Sequence, residues 1–328
     1  MNLDEIAINE VQRERPFTKG DLNRYWQFIS NRGPFERFDI QDNRVSGPCG
    51  RMMNFMQSLT NDYFLPDLSF IYFQQDSLNQ FGIKTRLLKT FYRSIPIFVS
   101  ARKRNSRHQI LFCDWHYDPQ CHTPGMWNGM VSALINDSEI TSWQAKISQM
   151  IWRGGPNDGV YTPHNLNEFP RGRLVMLSEL HPNLIDATFN NYPPNFMDHR
   201  DAFTARFPSR FVNPVEMARY KYQIDVDGVT ATFTGLAWKL LSGSLVFKQD
   251  SPNKTWFHDL LGPWEHYIPL RNDLGDLLEK LDWARVNDEQ CKKIAANGRQ
   301  LIIKNALPDS MRSYCAAVLK QYKSLITD

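Results

Sequence analysis

The rhythm of apolar and polar positions changes near residue 145, and the two halves it separates predict different elements. Before the change, short apolar runs alternate with polar stretches. RFDIQDNRVSG sets Phe38, Ile40 and Val45 at alternating positions around Asp42-Asn43, which predicts a β-hairpin turning on those two residues. RMMNFMQSLTNDYF is apolar at helical spacing, and LPDLSFIYFQQD follows as a strand introduced by Pro66 and closed by Asp76. A second apolar run, IPIFVSA, leads into the basic patch Arg102, Lys103, Arg104 and Arg107. Open α/β sheets gather ligands just beyond their strand ends, so Asp76 and the stretch from Ser100 to Arg102 are candidate site residues.

From residue 146 the alternation becomes regular. ISQMIW reads as a strand, RGGPNDG as a loop, RGRLVMLSELH as a helix and IDATF as a strand. In NPVEMARY, Asn213 and Glu216 make a capping box, with Pro214 at the first helical position. KYQIDV, SLVFK and HYIPL then read as strands, and TFTGLAWKLLSG and KTWFHDLL as the helices between them. This strand-helix-strand rhythm predicts a doubly wound parallel sheet with a ligand crevice at its strand ends. The last quarter is helical, and in its final segment Met311, Tyr314, Cys315, Val318, Leu319, Tyr322 and Leu325 recur at steps of three and four, so one face needs cover. The expected organisation is an N-terminal domain over 1–145, a Rossmann-like domain over 146–306, and a C-terminal helix over 307–328 packing back on the first domain.

Composition narrows the class. The 328 residues are 42% hydrophobic and 22% charged, a folded chain long enough for two domains. Thirty-eight Lys and Arg against 35 Asp and Glu give a formal +3, too little for a surface that tracks nucleic-acid phosphates. No apolar run reaches the length of a membrane span, and MNLDEIAINEVQRERPF is too polar for a secretory signal, so a cytoplasmic protein is expected, with peripheral membrane association left open. Cys49, Cys113, Cys121, Cys291 and Cys315 are odd in number and scattered, which predicts free thiols, most of them buried.

Neither G-x-x-x-x-G-K-S/T nor G-x-G-x-x-G occurs. Arg153-Gly154-Gly155 directly follows a strand; its glycine amides and guanidinium suit an anion, and a plain glycine turn would need the same residues. Ser242, Gly243 and Ser244, with Lys248 at the far end of the next strand, offer a second anion site or a helix C-cap. Asp225-Val-Asp227 spells a metal-binding D-x-D, but it closes a strand before Gly228 and reads better as strand end and turn. Cys113, His116, Cys121 and His122 suggest zinc, at a spacing that matches no usual framework. Trp152, Phe233 and Trp256 could stack on a ligand ring or fill the core.

Together these segments resemble glycosyltransferase family 90, which includes protein O-glucosyl- and xylosyltransferases and bacterial lipopolysaccharide core transferases. The strongest stretch is YKYQIDVDGVTATFTGLAWKLLSGSLVFKQDSPNKTWFHDLLGPWEHYIPL, similar to the family's K-Y-K-Y, S-L-V-F-K and P-W-x-H-Y-I-P-L blocks in order and spacing. WRGG, RGRLVMLS, IPIFVSARK and LPDLSFIYFQQD extend the likeness over most of residues 38–310. The resemblance implies two facing Rossmann-like domains of the GT-B type with the active site in the cleft between them. It implies an inverting, metal-independent transfer of glucose, galactose or xylose from a UDP-sugar to a hydroxyl, with no cofactor. The acceptor expected for a cytoplasmic member is lipopolysaccharide or another surface glycan; a protein acceptor, or a noncatalytic glycan-binding role, are the alternatives. By motif match Asp76 would be the base, although QQDSLNQ departs from the family's Pro-containing turn. Many members carry an Arg where this chain has TFTGLAWK, so the UDP-sugar would lean on Arg153, Arg171, Arg173 and Lys248, with Gly154, Gly155, Gly228, Thr232, Phe233, Ser242 and Ser244 around it. Ser100 and Arg102 would lie on the acceptor or sugar side.

Overall fold

Asp42 and Asn43 both adopt left-handed backbone, with φ of 49° and 57°, as a two-residue hairpin turn requires and short polar side chains tolerate. They join strands β1 (Phe35–Gln41) and β2 (Arg44–Ser46), which pair with Gln41 opposite Arg44. In this computed structural model the described residues are 2–31, 33–74, 95–112, 126–137, 142–162, 164–192 and 200–327. Asp76 and the Cys113–His122 cluster lie outside them, as does Cys121.

The chain divides into two compact units. The first comprises Met1–Trp127, Pro252–Leu260 and Asn305–Asp328. Its sheet adds β3 (Leu68–Phe73), β4 (Ile97–Val99) and β5 (Gln109–Leu111) in the order β2-β1-β3-β4-β5, antiparallel on the hairpin side and parallel from β3 onward. Aromatic side chains fill its core: Phe70 lies 4.8 Å from Phe98, which also meets Phe112 and Tyr322 edge-on. Tyr322 belongs to the closing helix Pro308–Lys323, whose regularly spaced apolar residues Met311 to Tyr322 are all buried, as is Leu325 just beyond it. Helix α1 (Leu3–Gln12) packs beside it, capped by Asn2 and Glu5.

The second unit, Asn128–Ser251 with Leu261–Lys304, holds the regular alternation. Strands β6 (Ile147–Gly154), β7 (Ile185–Phe189), β8 (Tyr220–Asp225), β9 (Leu245–Gln249) and β10 (Ile268–Leu270) form an all-parallel sheet in the order β10-β9-β8-β6-β7. Helices α2 (Pro170–Leu180) and α3 (Thr234–Leu241) are two of its crossovers. The α/β class expected from the alternation is the class that forms. Parallel strands align all their carboxyl ends on one edge, here Gly154, Phe189, Asp225, Gln249 and Leu270.

KTWFHDLL does not form the expected helix. Asn253–Lys254 instead pairs antiparallel with Arg102–Lys103, and a single 3-10 turn follows at His258–Leu260. The ladder and the Lys254–Asp259 ion pair at 2.6 Å hold the segment extended and then turned, overriding its helical spacing. Trp152 and Trp256 are 2% and 1% exposed and fill the cores of their units. Cys291 and Cys315 are buried free thiols, and Cys49 is an exposed one. Among the described residues no helix is long and apolar enough to cross a membrane.

Candidate functional site at the carboxyl edge of the second sheet

The loop from Val226 to Phe233, between β8 and α3, is fixed mainly at Asp227. Its backbone N–H donates to Gln249 Oε1 at 2.9 Å, its carbonyl accepts from Arg171 Nε at 3.1 Å, and its carboxylate accepts from the Ser251 hydroxyl. Arg171 projects from the first turn of α2, where Asp158 also accepts from its backbone N–H at 2.9 Å. Besides Asp227, its guanidinium donates to the carbonyls of Val226 at 2.8 Å and Gly155 at 2.7 Å and to the Asn157 side chain. It thereby ties the loop after β6 to the loop after β8. Gly228 is glycine for lack of room: a Cβ there would stand 3.1 Å from the Arg171 guanidinium and against Asn157.

Behind this loop lies a buried charge cluster. Asp225, the last residue of β8, accepts from the Lys239 ammonium at 2.7 Å and from the Thr232 hydroxyl at 2.7 and 2.9 Å. Burial alone would raise the Asp225 carboxyl, but the charges of Lys239 and Lys248 and these hydrogen bonds outweigh it and hold the group below its usual range. Lys248, opposite Asp225 in the β8–β9 ladder, donates to the Gln249 carbonyl at 3.2 Å and lies 6.0 Å from the Tyr267 ring. With both D-x-D carboxylates engaged by protein donors, this pair reads as strand end and turn. Among the described residues no group of three or more His, Cys, Asp or Glu is placed to hold a metal.

The edge therefore gathers Gly154, Gly155, Arg171, Gly228, Thr232, Phe233 and Lys248 from the sequence-based set. Other members of that set are placed elsewhere or already occupied. Arg153, expected on phosphate, grips Asp186 on β7 through two contacts of 2.8 Å, and its side chain is 2% exposed. Arg173 donates to the carbonyls of Asn167, at 2.8 Å, and Asp273. Ser242 and Ser244 precede β9 and so sit at the amino edge of the sheet. Ser242 caps α3, its hydroxyl 2.6 Å from the Lys239 carbonyl, and Ser244 donates to the Tyr220 carbonyl at 2.7 Å. The helix-cap alternative is the one realised, with Gly243 at φ 70°. In the first unit Arg102 is wholly occupied: Nε and Nη2 hold Glu10 at 2.8 and 2.6 Å, and Nη1 donates to the carbonyls of Lys103 and Arg104. Ser100 shares a 2.8 Å hydrogen bond with Tyr72.

Lys239 escaped the sequence reading, although its signal was visible: one charged residue inside the apolar helical run LAWKLL must either find a buried partner or point at something. The model of Glycosyl transferase family 90 matches residues 50–328.

The chain belongs to glycosyl transferase family 90. Protein O-glucosyltransferase 3 from Mus musculus is 30% identical over 97% of this chain and 59% of that protein. Protein O-glucosyltransferase 2 from Danio rerio is 30% identical over 83% of this chain and 50% of that protein, and protein O-glucosyltransferase 1 from Rattus norvegicus is 26% identical over 97% and 75%. The chain thus spans between half and two thirds of the length of the first two of these relatives and three quarters of the third. Among solved structures, HepE from Anabaena in complex with UDP and glucose aligns over 82% of this chain and 74% of that one at 9% identity and TM-score 0.46, too distant a likeness to bear on the site.

Proposed function

We propose that this family 90 chain is a UDP-sugar-dependent glycosyltransferase that moves one hexose, glucose first among candidates, to a hydroxyl of a polypeptide. The observation that carries this reading is the family match across residues 50–328, joined to relatives named protein O-glucosyltransferases. Those names favour a protein acceptor over the surface glycan expected for a cytoplasmic member of the family. The donor would lie along the carboxyl edge of the second sheet, where the loop clamped at Asp227 needs little reorganisation to receive it.

In the proposed single displacement, the acceptor oxygen bonds to the anomeric carbon as the bond from that carbon to the UDP oxygen breaks, inverting the centre. The acceptor proton passes to Asp76, assigned by family resemblance, and the charge left on UDP is met by edge cations without a metal ion. The test is incubation with UDP-glucose, UDP-galactose and UDP-xylose and a serine-containing polypeptide, following UDP release and acceptor mass. We expect transfer from UDP-glucose, unchanged in EDTA. Transfer to lipopolysaccharide alone would displace the acceptor assignment; no UDP binding and no release from any donor would favour noncatalytic glycan binding. Asp76→Asn should lower turnover about 10²-fold or more while UDP affinity and Tm hold. A stable variant with near wild-type turnover removes Asp76 from the mechanism.

A further inference from the structure

The arginines expected to carry the donor's negative charge are committed within the fold: Arg153 to Asp186, and Arg171 and Arg173 largely to backbone carbonyls. Two lysines remain at the carboxyl edge, and Lys239 is the unusual one. It starts one turn inside α3, among the buried residues Leu236, Ala237, Trp238, Leu240 and Leu241, and its side chain runs back toward the helix start to reach Asp225. Four residues earlier on the same face stands Gly235. A Cβ at Gly235 would lie 3.8 Å from the Lys239 ammonium and 3.0 Å from the Thr232 Cβ, so Gly235 lets the first turn pack closely on the Thr232 side chain and brings its backbone beside the ammonium. In the loop feeding that turn, Thr230 is 4% exposed and its hydroxyl has no hydrogen-bond partner within the protein. A buried cation beside a glycine and an unsatisfied buried hydroxyl in the adjoining loop are what an anionic ligand with acceptor oxygens would complete.

We infer that Lys239 is a donor-binding residue whose ammonium meets the pyrophosphate of the UDP-sugar beside the glycine backbone of the first turn, while Asp225 keeps it aimed there. This deepens the proposed function and rests on it. Asp225 neutralises and orients the ammonium in the free protein, so burial does not strip its charge, and a phosphate oxygen is then added as a second acceptor to a group with three donors.

Calorimetry with UDP and, by competition, uridine separates this role from a structural one. Lys239→Met alone would strand a buried carboxylate, so the comparison uses Asp225→Asn and the double variant Asp225→Asn/Lys239→Met, with Tm recorded for each. Asp225→Asn removes the carboxylate that aims the ammonium and holds its charge, so it should bind UDP more weakly than wild type. The double variant should bind UDP about tenfold to a hundredfold more weakly than wild type, with uridine affinity unchanged. A folded double variant that binds UDP like wild type, or equal losses of UDP and uridine, overturns the inference. If wild type binds no UDP, the donor reading falls and takes this inference with it, whereas wild-type UDP binding indifferent to Lys239 overturns only the inference.

Discussion

The two edges of the second unit's sheet bury similar cations and use them differently. At the amino edge, Lys146 donates to the Ala218 carbonyl and, at 3.1 Å, to the Ser242 carbonyl. Beside it Arg299 donates to the carbonyls of Leu134 at 2.7 Å, Ile135 at 3.2 Å and Leu241. Four of these five acceptors lie at the ends of helices Met126–Asn136 and α3, where unpaired carbonyls carry partial negative charge. At the carboxyl edge, Lys239 faces a carboxylate, while Arg171 and Lys248 donate to backbone carbonyls as the amino-edge cations do. Burial and positive charge are therefore common to both edges and identify neither as a site. The distinguishing feature is the acceptor type, a carboxylate for Lys239 and backbone carbonyls for Lys146 and Arg299.

The comparison breaks most visibly at Arg171, which lies at the carboxyl edge yet behaves as amino-edge cations do. Arg171→Ala would leave the carbonyls of Gly155, Val226 and Asp227 and the Asn157 side chain short of a donor. At about 1–3 kcal/mol for each buried group left unsatisfied, and with partial relief from water, we expect a loss of about 3 kcal/mol or more in urea unfolding. UDP affinity should fall with it as the loop loosens. A loss under about 1 kcal/mol would mean that Gln249 and Ser251 hold the loop by themselves.

What could be read from the sequence follows from how local each cause is. The Asp42-Asn43 turn, the covered face of the closing helix and the parallel alternation of the second half depend on neighbours within a few residues, and periodicity exposes them. The fate of each arginine depends on distant partners. Arg153 finds Asp186 on the neighbouring strand, 33 residues away, and Arg102 finds Glu10, 92 residues away; the sequence makes both candidates for a ligand because spacing carries no information about either partner. For Ser242 and Ser244 composition suited an anion, but strand polarity placed them on the other edge. KTWFHDLL shows the reverse failure, a helical spacing overridden by long-range pairing with Arg102–Lys103.

The amino edge can be sharpened by pH. Burial first, and then the Arg299 charge, pull the Lys146 ammonium down to about 7, from an ordinary 10.5. The folded-state value lies below the unfolded one, so between them the unfolded chain binds more protons and stability rises with pH. The charged form's penalty is fully present below pH 7 and is relieved as pH climbs toward 10.5, at a slope of up to about 1.4 kcal/mol per pH unit. Lys146→Met should lack this contribution. Urea unfolding of both proteins from pH 7 to 9 isolates it, because other titrations cancel in the difference. Parallel curves would show that the ammonium stays charged on its carbonyls throughout.

The smallest expected effect is the most specific check on the comparison. Ser244 sits at the amino edge, where its hydroxyl donates to the Tyr220 carbonyl at 2.7 Å. Sequence composition alone would give it to a phosphate, whereas strand polarity removes it from the carboxyl edge. Ser244→Ala deletes one hydrogen bond to a carbonyl at the start of β8, a cost of about 1 kcal/mol in unfolding free energy. UDP affinity should not change, because nothing at the carboxyl edge depends on that bond. Calorimetry on the same preparation used for unfolding tests both halves of the forecast. If Ser244→Ala keeps its stability and loses UDP affinity about tenfold, the anion site lies at the amino edge, and Lys146 and Arg299, rather than Lys239, become the cations that face it.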